Sequence, residues 1–363
     1  MIRVAVLWSH ISGYLSASLQ ALENHGCEIF LSAYSPQEKA PFAKEVFSWL
    51  PEGNKSWWPK GAVNGEELTQ ALVTFHPDII LCSGWSNPAY LSASKYFREK
   101  ALRVLCFDTP WQNSLRQSLG RVWSRLKLLP NFERVFVPGE RQFQTAVMLG
   151  FKPRNVIFGM LAPDTVRFTP KQFPDCTDNK RFIYVGRISK EKGVHELARA
   201  YQDYRSQTEL PWPLVVAGTG PLENVLVQQP GVEILGFVQP RDLPPLLFQA
   251  GCMVAPSLYE PWGVQISEGV TAGLPVIATH SCGASTHLVR SNFNGYLVEA
   301  GDVHGLTQAM LSIGRNKDLS VFSHNSQLLS RQFTPELFAM NLLESCAPLF
   351  DAKGTRSGQV LWQ

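Results

Sequence analysis

The sequence predicts an α/β protein of two consecutive, doubly wound parallel-sheet domains facing each other across a cleft. Three observations predict it. The chain has 363 residues, enough for two cores of ordinary size. Short apolar runs alternate with longer amphipathic ones, the pattern of βαβ units. The rhythm is broken once, by an irregular proline-bearing passage over 159–179, and then restarts.

The first half places strands at 3–8, 28–34, 78–83, 103–107, 134–138 and 155–158. Helical patterns separate them, notably 14–25, with Gly26 as its stop. Ser56-Trp57-Trp58-Pro59-Lys60 reads as a loop. The second half places strands at 181–185, 214–217, 232–235, 253–255, 275–279 and 295–298. Its helices are expected at 190–204, 243–250, 264–272 and 302–315, with a last one from 335 to about 349. The domains are therefore 1–158 and 180–334, joined by the linker 159–179 and followed by a helix and tail, 335–363, that packs back on the first domain. Ligands of such sheets bind beyond the carboxyl ends of the strands.

Composition narrows the class. Hydrophobic residues make up 45 % and charged residues 17 %, a globular profile. A net charge of +3 gives no reason to expect nucleic acid. The cysteines, at 27, 82, 106, 176, 252, 282 and 346, form no C-x-x-C pair and read as buried thiols of a reducing compartment. The opening apolar run, 1–8, is too short for a signal-peptide core. No stretch approaches the roughly 20 apolar residues of a membrane span. A cytoplasmic protein is expected, peripheral at most on the inner membrane face.

The loop after Val185 reads Gly186-Arg187-Ile188-Ser189-Lys190-Glu191-Lys192-Gly193. Arg187 and Lys192 bracket a strand exit and a helix start, where two cations can clamp a diphosphate. A solvated, charged helix start is the bland alternative. Gly218-Thr219-Gly220 follows the next strand and suits either close backbone approach to a ligand or a plain tight turn. It is not the G-x-G-x-x-G of a dinucleotide site, which disfavours a nicotinamide dehydrogenase. Further on, a loop carries Glu260, Gly263 and Val264 open a helix, and that helix bears Glu268. A carboxylate accepts hydrogen bonds from two adjacent hydroxyls, which riboses and hexoses both offer. Two separated carboxylates and an anion clamp describe a nucleotide-sugar site.

These motifs, with Gly236-Phe237-Val238 and with Gly159, Asp164 and Phe168 in the linker, resemble the donor half of retaining glycosyltransferase family four. That resemblance implies the GT-B fold of two Rossmann-like domains, the first binding acceptor and the second a UDP-, GDP- or ADP-sugar. It implies that Arg187, Lys192 and the Gly186 loop hold the diphosphate and that Glu268 binds the ribose. Glu260 would contact the transferred sugar, and Phe237 and Val238 would frame the base. Gly13, in Ser12-Gly13-Tyr14, stands where the family places a phosphate-contacting glycine loop. Asp108 stands where many relatives carry a histidine. It is a candidate to position the acceptor hydroxyl, beside the alternative of an Asp capping a turn before proline. His10 lies in the same half, while His25 reads as a surface residue and His195 as structural.

The implied reaction retains anomeric configuration. No D-x-D triplet occurs, so neither a metal nor another cofactor is expected. Residues 1–155 hold 17 Lys/Arg against 12 Asp/Glu, the remainder 16 against 18. Much of that excess sits in Trp111–Pro130, where Arg116, Arg121, Arg125 and Lys127 accompany six apolar residues. Such a helix lies on an anionic membrane, binds a phosphorylated acceptor, or faces the core with a solvated basic side. The reaction expected is hexosyl transfer to a glycan, lipid-linked or polysaccharide-precursor acceptor. A same-fold epimerase or phosphorylase, or a non-catalytic nucleotide-sugar binding module, is the alternative.

Overall fold

A computed structural model describes residues 1–35, 44–171 and 180–353. Thirteen strands among these residues form two sheets, with parallel pairing throughout. The first sheet contains β1 (Ile2–Trp8), β2 (Cys27–Tyr34), β3 (Lys55–Trp58), β4 (Ile79–Ser83), β5 (Leu102–Cys106), β6 (Arg134–Val137) and β7 (Val156–Phe158). Their order is 3-2-1-4-5-6-7, so the topology reverses between β1 and β4. The second sheet contains β8 (Phe182–Val185), β9 (Leu214–Ala217), β10 (Val232–Gly236), β11 (Cys252–Ala255), β12 (Val276–Thr279) and β13 (Gly295–Val298). Its order is 10-9-8-11-12-13, reversing between β8 and β11. Both sheets are doubly wound.

The strands are continuous apolar runs because helices cover both faces. Val4, Ala5, Val6 and Leu7 of β1 are wholly buried, and so are Leu214 and Val216 of β9. Register holds the carboxyl ends level: Val185 of β8 pairs with Ala217 of β9, and Met253 of β11 with Ile183 of β8.

One compact unit comprises Met1–Ala162 together with the helix Pro335–Lys353, and the other comprises Pro163–Phe333. The Phe338 ring of that last helix packs 4.7 Å from Phe136 of β6. Arg134 Nε donates to Ser345 O at 3.2 Å, and Asn341 Nδ2 to Phe158 O at 3.1 Å. Residues 163–171, read above as linker, belong to the second unit. Asp164 caps the short helix Thr165–Phe168, which lies against the helix Val264–Thr271. The rest of the linker, 172–179 with Cys176, and the tail 354–363 lie outside the described residues.

Two expectations are corrected and one alternative is ruled out. Lys55–Trp58 is an edge strand instead of a loop; its register on β2 buries Trp58, whose Nε1 donates to Ser32 Oγ at 2.8 Å. The helix expected over 190–204 is a 3-10 turn at Lys190–Lys192 followed by an α-helix at Val194–Ser206, broken at left-handed Gly193. The basic segment does form a helix, Leu115–Lys127, but its apolar side chains do not enter the core: Leu115, Leu119, Val122 and Leu126 are all exposed. The six cysteines among the described residues are free and buried. No helix there is long and apolar enough to cross a membrane.

Candidate active site

Arg187, Lys192, Glu260 and Gly263 lie in the loops at the carboxyl tips of β8 and β11. Gly186 N donates to Ala217 O at 3.0 Å and Ile188 N to Thr219 O at 2.9 Å, tying the loop after β8 to the loop after β9. A Cβ on Gly218 would stand 1.8 Å from Gly186 O, and one on Gly220 2.3 Å from Ile188 O. The glycine pair therefore serves packing between neighbouring loops.

The next contact joins β8 to β11. Glu191 O accepts from Leu258 N at 2.9 Å and from Tyr259 N at 3.1 Å. A Cβ on Gly193 would stand 1.9 Å from Pro256 O, so only glycine lets the two loops meet. This docking brings Lys192 onto Glu260: Nζ bonds directly to Oε2, with the two side chains only 15 % and 11 % exposed. Gln265 Nε2 reaches the same oxygen at 3.4 Å. Glu260 O accepts from Gly283 N at 3.1 Å, anchoring the acidic loop to the segment after β12.

Arg187 stands beside this pair and remains 74 % exposed, its Nη2 3.0 Å from Glu191 Oε1. The Ser189 hydroxyl donates to that oxygen at 2.7 Å. Ser189 first, then Glu191's own amide and the two cations, hold the Glu191 carboxyl below the usual carboxylate range. Tyr184 lies among these charges: burial first, then Glu260 and Glu191, push its phenol up, and Arg187 opposes them. Its hydroxyl donates to Arg187 O at 2.6 Å.

The helices Val194–Ser206 and Val264–Thr271 both begin here. Each starts on a left-handed glycine, Gly193 or Gly263, with no capping side chain. The helices Gly13–Asn24, Gly65–Phe75 and Leu115–Lys127, by contrast, are capped by Ser12, Asn64 and Ser114. Two uncapped helix starts leave backbone N–H groups for an anion, and the positive ends of both dipoles favour one.

Glu268 stands on the second of these helices, apart from the Lys192–Glu260 pair. Among the described residues, no side chain or amide hydrogen-bonds to its carboxyl group. Burial first, then the Asp164 carboxylate, raise its pKa to about 7. Phe237 and Val238 follow β10, the edge strand two places from β8; Phe237 is exposed and Val238 partly buried. Sequence reasoning missed Glu191 as a tether and Asp164 as the charge facing Glu268, since neither role leaves a local pattern.

In the first unit a cavity of about 680 Å³ opens at the tips of β1, β4 and β5, at the topological switch. It is lined by Trp8, His10, Tyr14, Trp85, Asp108 and Trp111, among others. Asp108 is exposed at this cavity, and its backbone carbonyl accepts from Gln142 Nε2 at 2.8 Å. Burial first, then Lys60, lower the pKa of His10, which favours the neutral imidazole. Gly13 opens the helix beneath and is not among the lining residues. Of the other histidines, His25 is the exposed C-cap of that helix, and His195 is exposed too.

A family model described as Glycosyl transferases group 1 matches residues 167–327, which include every candidate residue of the second unit. A glycogen synthase of Mycobacterium tuberculosis is 31 % identical over 38 % of this chain and 34 % of its own. An Escherichia coli protein named UDP-Gal:alpha-D-GlcNAc-diphosphoundecaprenol alpha-1,3-galactosyltransferase is 28 % identical over 40 % of this chain and 39 % of its own. The matches span about a third of the length of the first curated relatives. Among solved structures, Anabaena Alr3699/HepE in complex with UDP superposes with a TM-score of 0.73 at 17 % identity, covering 96 % of this chain and all of that one. The fold is GT-B.

Proposed function

We propose that the protein is a retaining, metal-independent glycosyltransferase that moves a hexosyl group from a nucleoside-diphosphate sugar to a glycan, lipid-linked or polysaccharide-precursor acceptor. The observation that carries this reading is the buried Lys192–Glu260 pair, set between two uncapped helix starts with Arg187 alongside.

Cleavage of the sugar–diphosphate bond develops negative charge on the departing phosphates. Lys192 and the amides at Gly263 and Val264 are held in place beforehand, so they stabilise that charge with little reorganisation, and the exposed Arg187 adds its charge beside them. Lys192 then divides its protons between the phosphate and Glu260, and Glu260 orients a hydroxyl of the transferred sugar. Glu268, whose carboxyl has no hydrogen-bond partner among the described residues, accepts from the ribose hydroxyls. Phe237 and Val238 lie along the base. The GT-B fold and the names of the matched relatives support a nucleotide-sugar donor, UDP being the ligand named for the Anabaena structure. On the acceptor side, Asp108 and neutral His10 share a tryptophan-rich cavity suited to hexose rings. The absence of D-x-D supports chemistry without a metal.

A thermal-shift panel of UDP-, GDP- and ADP-sugars tests the donor assignment. The matching nucleotide at a hundred times its dissociation constant stabilises the fold by about 2.7 kcal/mol. Glu268→Ala is expected to abolish that shift, and an unchanged shift in the variant refutes the ribose role. Turnover of donor without any acceptor would point to an epimerase instead.

A further inference from the structure

We infer that the helix Leu115–Lys127 docks the protein on an anionic lipid bilayer. This helix is inverted relative to an ordinary surface helix, which turns its apolar stripe inward. Polar contacts anchor its inward side: Ser124, fully buried, donates to Leu149 O at 2.8 Å, and Gln117 Nε2 donates to Pro110 O at 3.0 Å. Its outward face is apolar. Leu115 is 85 % exposed, Leu119 74 %, Val122 64 %, Leu126 71 % and Trp123 40 %. At 3.6 residues per turn these five fall within an arc of roughly 100°.

Charge identifies what covers this face. By the same helical spacing Arg121 and Arg125 flank the arc on one side and Lys127 on the other; all three are exposed, and among the described residues none is in an ion pair. No Asp or Glu occurs between Asp108 and Glu133. A second copy meeting this face would oppose like charges with no acidic complement. An apolar stripe bordered on both sides by cations fits acyl chains below and anionic headgroups around. Gln117, Gly120 and Trp123 also line the cavity of the first unit. Docking therefore sets the cavity's wall at headgroup level, where a polar group on a membrane-anchored tail can enter.

The inference goes beyond the transfer reading and is measured without donor or acceptor. The full chain is sedimented with vesicles of phosphatidylcholine, with and without phosphatidylglycerol, at low salt. Binding is expected to the anionic vesicles and to fall as salt rises. Removing the three charges (R121Q, R125Q and K127Q together) weakens binding by about a hundredfold, at roughly fivefold per cation. Leu119→Ser with Leu126→Ser abolishes binding while circular dichroism and the melting temperature stay unchanged, both positions being exposed. A fluorescence blue shift on binding, lost in Trp123→Phe, places the stripe in the bilayer. Absence of binding at low salt overturns the proposal, as does binding that neither set of substitutions alters. A concentration-dependent dimer broken by the two serine substitutions, without vesicle binding, also overturns it and assigns the face to a second copy.

Discussion

Glu268 brings a titration into the neutral range, since its carboxyl is raised from 4.5 to about 7, by burial first and the Asp164 carboxylate second. The native state then holds a proton that the unfolded chain has released. Stability from this group is present below about pH 4.5 and is lost as pH rises toward 7. At 1.36 kcal/mol per unit the full loss is about 3 kcal/mol. Urea denaturation of wild type and Glu268→Gln across pH 4–8 checks the sign: the wild-type curve declines over that window and the variant's stays flatter. A steeper variant curve would contradict it. What the sequence did make legible is the pairing in space of Lys192 with Glu260 and of Arg187 with its neighbour Glu191, since Arg187 and Lys192 adjoin glycines in the loop after β8 and Glu260 lies in the loop after β11. The charge of Asp164 facing Glu268 and the Glu191 tether were not. One acts through space and the other through a backbone carbonyl, which any residue type possesses.

Among elements, the break between Lys190–Lys192 and Val194–Ser206 shows how one contact overrides helix propensity. Charged residues over 190–192 are adequate helix formers, but Gly193 has φ +71° and lies against the Pro256 carbonyl. Gly193→Ala must strain the backbone and separate the two loops, at a cost of about 3 kcal/mol or more. Gly26→Ala shares the positive φ (+78°) with open space around it and should cost about 1 kcal/mol. Chemical denaturation of both variants compares them; equal losses would show that the loop contact is immaterial. The edge strand Lys55–Trp58 escaped the sequence because four residues are too few for a period and its pairing with β2 is not local. The helix Leu115–Lys127 teaches a related lesson. Periodicity revealed its two faces, but which face turns inward depended on Ser124 finding Leu149 O, a contact 25 residues away.

At the scale of the molecule, alternating apolar and amphipathic runs sufficed to read two doubly wound sheets, since parallel strands buried on both faces leave that signature. The boundary was less legible. Residues 163–171 join the second unit through Asp164 and through buried Phe168, neither of which stands in a periodic segment. The helix Pro335–Lys353, in contrast, completes the first unit. Truncation after Phe333 exposes Phe136 and frees Arg134 from Ser345. Calorimetry of that truncated chain should show the first unit melting lower while the second keeps its transition; a uniform shift of both would argue against this division.

That returning helix also orders events during synthesis. A ribosome releases β1 through β7 early, yet their unit lacks Phe338 against Phe136 until the last helix is made, while Pro163–Phe333 is continuous in sequence. The portion translated second is thus free to mature ahead of the portion translated first. Chains ended at residue 333 and held on the ribosome by a linker long enough to clear its exit tunnel would resist protease across the later portion and be cut within the earlier one.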